Sequence, residues 1–449
     1  MSIKPNYEKM DGCEFYPSEI MFEYSQCIDE GLDVEKYKEL FEAVSKLPHD
    51  EIANDLGDTI FKIVSGAPMR ADYEFNEPSD LESIKALRKP YPIKGTVNRD
   101  ALRNKVHGAW LGRICGCMLG KTVEGIRTDE LIPFLKESNN YPLSRYVYRS
   151  DLPENVDDRY DFYFNGMSFI GDVDGMTVDD DTNYVVLNQL VCEKCGKDFT
   201  PYDVSVAWTK YQPRDVYYTA ERVAFCNFIK GFTPPESAIY KNPFRELIGA
   251  QIRGDYWGYI NPGNPELAAE MAWRDASISH TKNGIYGEMF VAAMLANATV
   301  TSNLEDIILS GLAQIPSTSR LYKYITDILE KFKNGASEEE TLSYIYSCYD
   351  EKARFIGVHT IPNAMIVVAS LLYGGGDYAK SICMAVQACY DTDCNGATVG
   401  SILGMANGVD SIPEYWTKPM NNTLYTSILG ASKVKITDMV DKTMEHIEL

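Results

Sequence analysis

The run GAWLGRICGCMLGKTVEG, residues 108–125, decides the fold class. Gly108, Gly112, Gly116 and Gly120 recur every four residues, and Glu124 is next in that series. A glycine inside a helix costs roughly 1 kcal/mol against alanine. Four of them are tolerable where another helix or a ligand must approach the backbone closely. A buried helix over residues 103–125, with Glu124 at its end, is therefore predicted. A membrane role for the same spacing fails, because Arg113 and Lys121 interrupt a short apolar run. A second series, Gly396, Gly400 and Gly404, lies in ACYDTDCNGATVGSILG, residues 388–404, and again implies tight helix contact.

Outward from these runs nearly every segment has a period of 3.6 residues, and no succession of alternating strands is present. An all-α fold is predicted, a compact multi-helix body at 101–449 preceded by an accessory helical segment at 1–100. In that segment Val34, Tyr37, Phe41 and Val44 mark a helix over 34–47, capped by Asp33 and stopped by Pro48; a second helix is placed at 51–64. Lys89-Pro90-Tyr91-Pro92 reads as a rigid connector. Residues 151–178 are turn-rich, and Asp172 and Asp174 read as loop residues. Further helices are expected at 179–192, with Asp180 or Asp181 as cap, at 218–229 and, briefly, at 245–252. Two more flank residues 277–287. Two helices are expected over 302–353, one at 361–372, and one over 381–405 with an acidic knot in its middle. The polar tail 433–449 is expected to be peripheral.

The totals exclude several functions. With 65 acidic against 43 basic residues and a formal charge of −22 in 449 residues, the chain is unsuited to nucleic acid or an anionic membrane. No basic head precedes a short apolar core at the N-terminus, and no long uncharged apolar stretch exists. A cytoplasmic location is expected. The eleven cysteines are scattered. Cys192 and Cys195 have the spacing of half a zinc site without a second pair, while Cys115, Cys117, Cys383 and Cys389 read as core packing. The pattern is that of reduced thiols rather than a disulfide framework.

Chemistry concentrates in two acidic knots more than two hundred residues apart, Asp179-Asp180-Asp181-Thr182 and Asp391-Thr392-Asp393-Cys394, each heading an apolar helical run. Acidic residues in a first turn favour the helix dipole. Three consecutive carboxylates exceed what one cap needs, and their repulsion asks for a cation. All-oxygen ligation by Asp180, Asp181, Asp391 and Asp393, with Glu124 in attendance, suits Mg²⁺ or Mn²⁺. Two ions would let so many carboxylates coexist and activate water. His280 stands beside Asp275, Ser279 and Asn283 between two alanine-rich segments and is a candidate for a site or for the core.

These residues resemble the ADP-ribosylglycohydrolase family, the proteins related to dinitrogenase reductase-activating glycohydrolase. The family's glycine-spaced opening helix ending in glutamate is matched by residues 108–125. Its Thr-Asp-Asp-Thr motif corresponds to Asp179–Thr182, its Thr-His element to Ser279-His280, and its Gly-Asp-x-Asp-Thr motif to Tyr390–Cys394. The resemblance covers about residues 103–416. It implies an all-helical fold with a binuclear Mg²⁺ or Mn²⁺ centre that hydrolyses glycosidic bonds at C1 of ribose in ADP-ribose adducts. The implied metal set is Asp179, Asp180, Asp181, Asp391, Asp393 and Cys394. Glu124, Asp181 and Asp391 carry the implied catalytic roles, and His280, Asn283 and Tyr390 the implied substrate contacts. Asp179 and Cys394 stand where the pattern has threonine, Tyr390 where it has glycine, and Cys117 where an acidic residue often follows the third glycine. Two other functions remain open on the residues, a nucleosidase or small-glycoside hydrolase acting without a diphosphate, and a non-catalytic binding or regulatory homologue.

Overall fold

The computed structural model describes residues 4–448, so residues 1–3 of the accessory segment and residue 449 lie outside it. It is all-α apart from one pair of three-residue antiparallel strands, Thr423–Tyr425 and Lys433–Lys435, in the register Thr423 to Lys435. The Lys282–Ala298 helix, buried from Asn283 onward, runs through the core, contacting the Pro265–Ala276, Leu304–Leu312, Thr360–Gly374 and Thr392–Asn407 helices.

The two glycine series are partners. The Arg99–Lys121 helix and the Thr392–Asn407 helix lie antiparallel in the closest contact in the fold. A Cβ on Gly108, Gly112 or Gly116 would fall 2.0–2.3 Å from the carbonyl oxygens of Gly404, Gly400 and Gly396 respectively, and the reverse contacts are equally short. No side chain fits, so backbone rests on backbone. A Cβ on Gly120, last in the series, would meet the backbone of Thr392 and Asp393 at 2.3 Å, and Thr392 Oγ1 donates to the Gly120 carbonyl at 2.9 Å. This register sets the C-terminal end of one helix against the N-terminal start of the other. It thereby delivers Glu124 to Asp391 and Asp393.

Several local expectations are corrected. Over 34–47 only Lys38–Val44 is α-helical, preceded by a 3₁₀ turn, and Asp33 uses its backbone N–H on the Pro68 carbonyl instead of capping. Asp179, not Asp180 or Asp181, is the N-cap of the Asp180–Cys195 helix. Residues 245–250 form no helix, because Arg245 and Glu246 turn inward to buried ion pairs and Leu247 bridges to His359. Three helices, not two, occupy 302–353, broken by Pro316 and by Asn334-Gly335. The second acidic knot does not sit in the middle of a helix but at the start of one. Tyr378–Gln387 ends before it, and Asp391 stands at the N-cap position of Thr392–Asn407. The tail is not peripheral, since Ile436–Ile447 is an amphipathic helix with Ile436, Met439, Val440 and Ile447 buried against the rest.

The helices Glu51–Ser65 and Thr219–Ile229 form as predicted. Cys115, Cys117, Cys383 and Cys389 are buried, and all eleven cysteines are unpaired. The N-terminal segment has a small apolar core around Ile20, Phe41 and Ile60, and it is riveted to the body by buried charge. Arg245 bridges Glu23 and Glu30 at 2.8 and 2.7 Å, and Arg320 bridges Glu77 and Glu246 at 2.9 and 2.7 Å. Among the described residues no helix is long and apolar enough to cross a membrane.

Candidate metal centre

Three helix ends meet at the site. Asp179, Asp180 and Asp181 come from the start of Asp180–Cys195, and Asp391, Asp393 and Cys394 from the start of Thr392–Asn407. Both helices present positive dipole ends to these carboxylates. The end of the glycine-spaced helix supplies the third side through Arg113, Cys117 and Lys121, spaced four apart on one face, with Glu124 three further on.

Two ligand groups result. In one, atoms of Cys117, Asp179, Asp181 and Asp393 all lie within 4.8 Å of one another; in the other, atoms of Asp391, Asp393 and Cys394 do so. Asp393 is common to both. All six side chains are buried.

Capping accounts for only one oxygen of this cluster, on Asp179. Asp179 accepts from the Asp181 N–H at 2.9 Å with one oxygen and from Lys121 Nζ at 2.6 Å with the other. Asp181 accepts from Arg113 Nη2 at 2.9 Å and from the Cys394 thiol at 2.9 Å. Asp391 occupies an N-cap position yet makes no side-chain capping bond, and Asp393 Oδ1 is buried with no partner at all. A buried carboxylate oxygen left bare costs several kcal/mol unless a proton or cation reaches it.

The charge balance points the same way. Six carboxyls, those of Glu124, Asp179, Asp180, Asp181, Asp391 and Asp393, face two basic side chains, Arg113 and Lys121. Arg113 also serves Asp255 at 3.0 Å. Burial lowers Arg113, but Asp255 and Asp181 outweigh it and hold the guanidinium firmly charged. Burial, then the charges of neighbouring carboxylates, pushes Asp180, Asp181 and Asp391 well above the ordinary carboxylate range. Asp393 rises to about 6 from burial and Asp179, with Lys121 opposing. Glu124 rises to about 9, chiefly through the charge of Asp393, then desolvation, Asp179 and Asp180. Its side chain is open to solvent in the cavity, so neighbouring charge, more than burial, sets that rise. The oxygen-rich donor set with an orphaned central oxygen fits divalent cations.

A cavity of about 350 Å³ opens beside the cluster. Glu124, Asp391 and Tyr390 line it with Arg127, Arg354 and Phe355. Tyr390 has φ +59° and Cys389 φ +61°, left-handed backbone that non-glycine residues rarely adopt. The Tyr390 ring stacks on Tyr346 at 5.8 Å, and its hydroxyl donates to the Tyr349 carbonyl, contacts that hold the unusual backbone in place.

His280 and Asn283 are not part of this arrangement. Neither lines the cavity. His280 is buried with Nδ1 2.8 Å from Ser279 Oγ. Asn283 donates to Glu77 and Glu246, both at 2.8 Å, and accepts from the Leu321 N–H, so its amide is consumed by the protein. Outside the site, Asp172 pairs with Arg149 and Asp174 accepts from Tyr425. Arg113, Cys117 and Lys121 were not among the predicted site residues. Their four-residue spacing, with Glu124 three residues beyond, is the signal that would have found them.

The ADP-ribosylglycohydrolase family model matches residues 98–448. This chain belongs to the ADP-ribosylglycohydrolase family. The family is named for glycohydrolase activity, and the carboxylate cluster here could hold a metal ion. Among solved structures, one described as an "ADP-ribosylglycohydrolase-related protein complex" is similar at 15% identity and a TM-score of 0.48, covering 78% of this chain and 99% of the other. No curated protein matches the chain.

Proposed function

We propose that the protein is a metal-dependent glycohydrolase that cleaves the bond at the anomeric carbon of a ribose-like sugar in an ADP-ribosylated substrate, in the manner of the dinitrogenase reductase-activating branch. The observation that carries this reading is the meeting of two remote acidic helix starts with Glu124 at the wall of one cavity. Two Mg²⁺ or Mn²⁺ ions would be held by Asp179, Asp180, Asp181, Asp391, Asp393 and Cys394, supplying Lewis acidity to sugar hydroxyls and water.

The chain's own groups divide the remaining work. With cations offsetting the neighbouring carboxylates, Glu124 would be ionised and take the proton of the attacking water, while Asp391 and Asp181 hold negative charge near the oxocarbenium-like carbon. Tyr390, held by its stack on Tyr346, walls the sugar side of the cavity. Arg127 and Arg354 line the same cavity and favour an anionic leaving portion such as a diphosphate. Residues 1–100 serve as an accessory layer. Glu19 pairs with Arg354 at 2.6 Å, which supports a role at the cavity rim. Eleven unpaired cysteines support a reducing, cytoplasmic setting.

A nucleosidase or small-glycoside hydrolase using the same centre is the second reading, and the third is a non-catalytic homologue, motivated by the Cys394 thiol bonded to Asp181. Side-by-side turnover of ADP-ribosyl-arginine, ADP-ribosyl-serine, nucleosides and simple glycosides separates the three. The proposal expects hydrolysis of an ADP-ribosyl substrate that requires the divalent ion. Turnover of neutral nucleosides alone favours the second reading, and no turnover of any with ions bound favours the third.

A further inference from the structure

Each ligand group contains one thiol, Cys117 in the first and Cys394 in the second, and within each group the ligand atoms lie inside 4.8 Å of one another. Cys394 Sγ sits 2.9 Å from Asp181 Oδ2, inside the carboxylate cluster. Cys117 lies one turn from both Arg113 and Lys121, which hold Asp181 and Asp179. A separate observation points to a ligand, because Asp393 Oδ1, on the side chain shared by both groups, is buried without a hydrogen-bond partner.

Hard Mg²⁺ demands octahedral oxygen and gains little from sulfur. First-row ions bind increasingly well from Mn²⁺ towards Co²⁺ and beyond, and Zn²⁺ accepts mixed thiolate and carboxylate sets. We propose that Cys117 and Cys394 are metal ligands and that this mixed oxygen–sulfur centre selects thiophilic first-row divalent ions over Mg²⁺. The inference rests on the metal-centre reading above and narrows it. Each sulfur–metal bond forms as the S–H bond breaks and its proton leaves to solvent, with no change of oxidation state.

The test is titration of metal-free full-length protein with Co²⁺, followed by near-ultraviolet absorbance, where thiolate-to-cobalt charge transfer appears. Wild type is expected to show the band, Cys117→Ser and Cys394→Ser each to lose part of it, and the double variant to lose it all. Calorimetry on the double variant is expected to show Co²⁺ and Zn²⁺ binding weakened at least about tenfold, the scale on which ligand-sphere changes act, and Mg²⁺ binding unweakened. The wild-type band stands as a test even if a variant fails to fold. Co²⁺ bound by wild type without the band, or Mg²⁺ competing with it on equal terms, overturns the thiol ligation and leaves the carboxylate centre intact. No divalent ion bound by wild type overturns both.

Discussion

In the proposed mechanism catalysis turns on Glu124. It lies past the last helical turn, open to the cavity and ringed by Asp393, Asp179 and Asp180. Glu124→Gln keeps the shape and removes the base, so turnover should fall about 10²–10⁴-fold, the range for general-base loss. Divalent-ion occupancy, read by calorimetry, should stay largely intact; full activity in the variant would remove Glu124 from the mechanism. Arg113 acts through stability. Its guanidinium donates to the Asp181 carbonyl and carboxylate and to the Ile252 carbonyl, all in the interior. Arg113→Met strands Asp181 and Asp255, and loss of one partner of a buried pair costs about 3–5 kcal/mol. Denaturant titration should show that loss, with recovery on adding a tightly bound divalent ion. His359 governs a pH effect. Burial lowers it to about 4, its Nδ1 accepts from the Ile361 N–H, and its Nε2 has no partner. The unfolded chain takes up the proton near pH 6.5 and the folded one only near 4, so stability is lost as pH falls through that window, by up to about 3 kcal/mol. His359→Asn keeps the cap and should flatten that limb of the melting-temperature profile; an unchanged limb would assign the loss to other groups.

Among the elements, the glycine-on-glycine helix pair matters most, because its register brings the two halves of the centre together. Gly116→Ala would place a methyl 2.0 Å from the Gly396 carbonyl oxygen. Overpacking usually costs about 1–3 kcal/mol, and unyielding backbone puts this site at the upper end or beyond. The variant should also bind divalent ions more weakly, since prying the helices apart separates Lys121 and Glu124 from Asp391 and Asp393. A destabilised variant with unchanged ion affinity would uncouple the pair from the centre. Both glycine series were legible in the sequence because close approach leaves a four-residue signature, and both acidic knots because charge was in excess of capping. That the series face each other was not, since spacing carries no partner. Arg245 and Glu246 sit in a helix-like pattern, yet ion pairs with Glu23 of the N-terminal segment and with Arg320 of the body hold them in an irregular turn. The polar tail hid an amphipathic helix whose apolar stripe is only every third or fourth residue. His280 and Asn283 drew notice by rarity and neighbourhood in sequence, but the fold spends Asn283 on Glu77 and Glu246.

Across the whole molecule, residues 1–100 and the body share one buried charge network. Gln26 joins Glu30 and Glu246, Lys282 reaches Glu30 at 2.9 Å, and Arg245 and Arg320 each bind acids from the N-terminal segment. Burial pushes Glu246 up, but Arg320, His359 and Lys282 outweigh it and hold its carboxyl well below the usual range. Truncation before residue 98 should leave Arg245 without its acids and the product insoluble or largely unfolded by circular dichroism; a folded, soluble remainder would show the network to be dispensable. The central claim is the shared cation centre. Crystals grown with Mn²⁺ and measured for anomalous scattering test it most directly. The account predicts two peaks, one among Cys117, Asp179, Asp181 and Asp393 and one among Asp391, Asp393 and Cys394. A map with manganese only at surface carboxylates, and none between the two acidic helix starts, would contradict it.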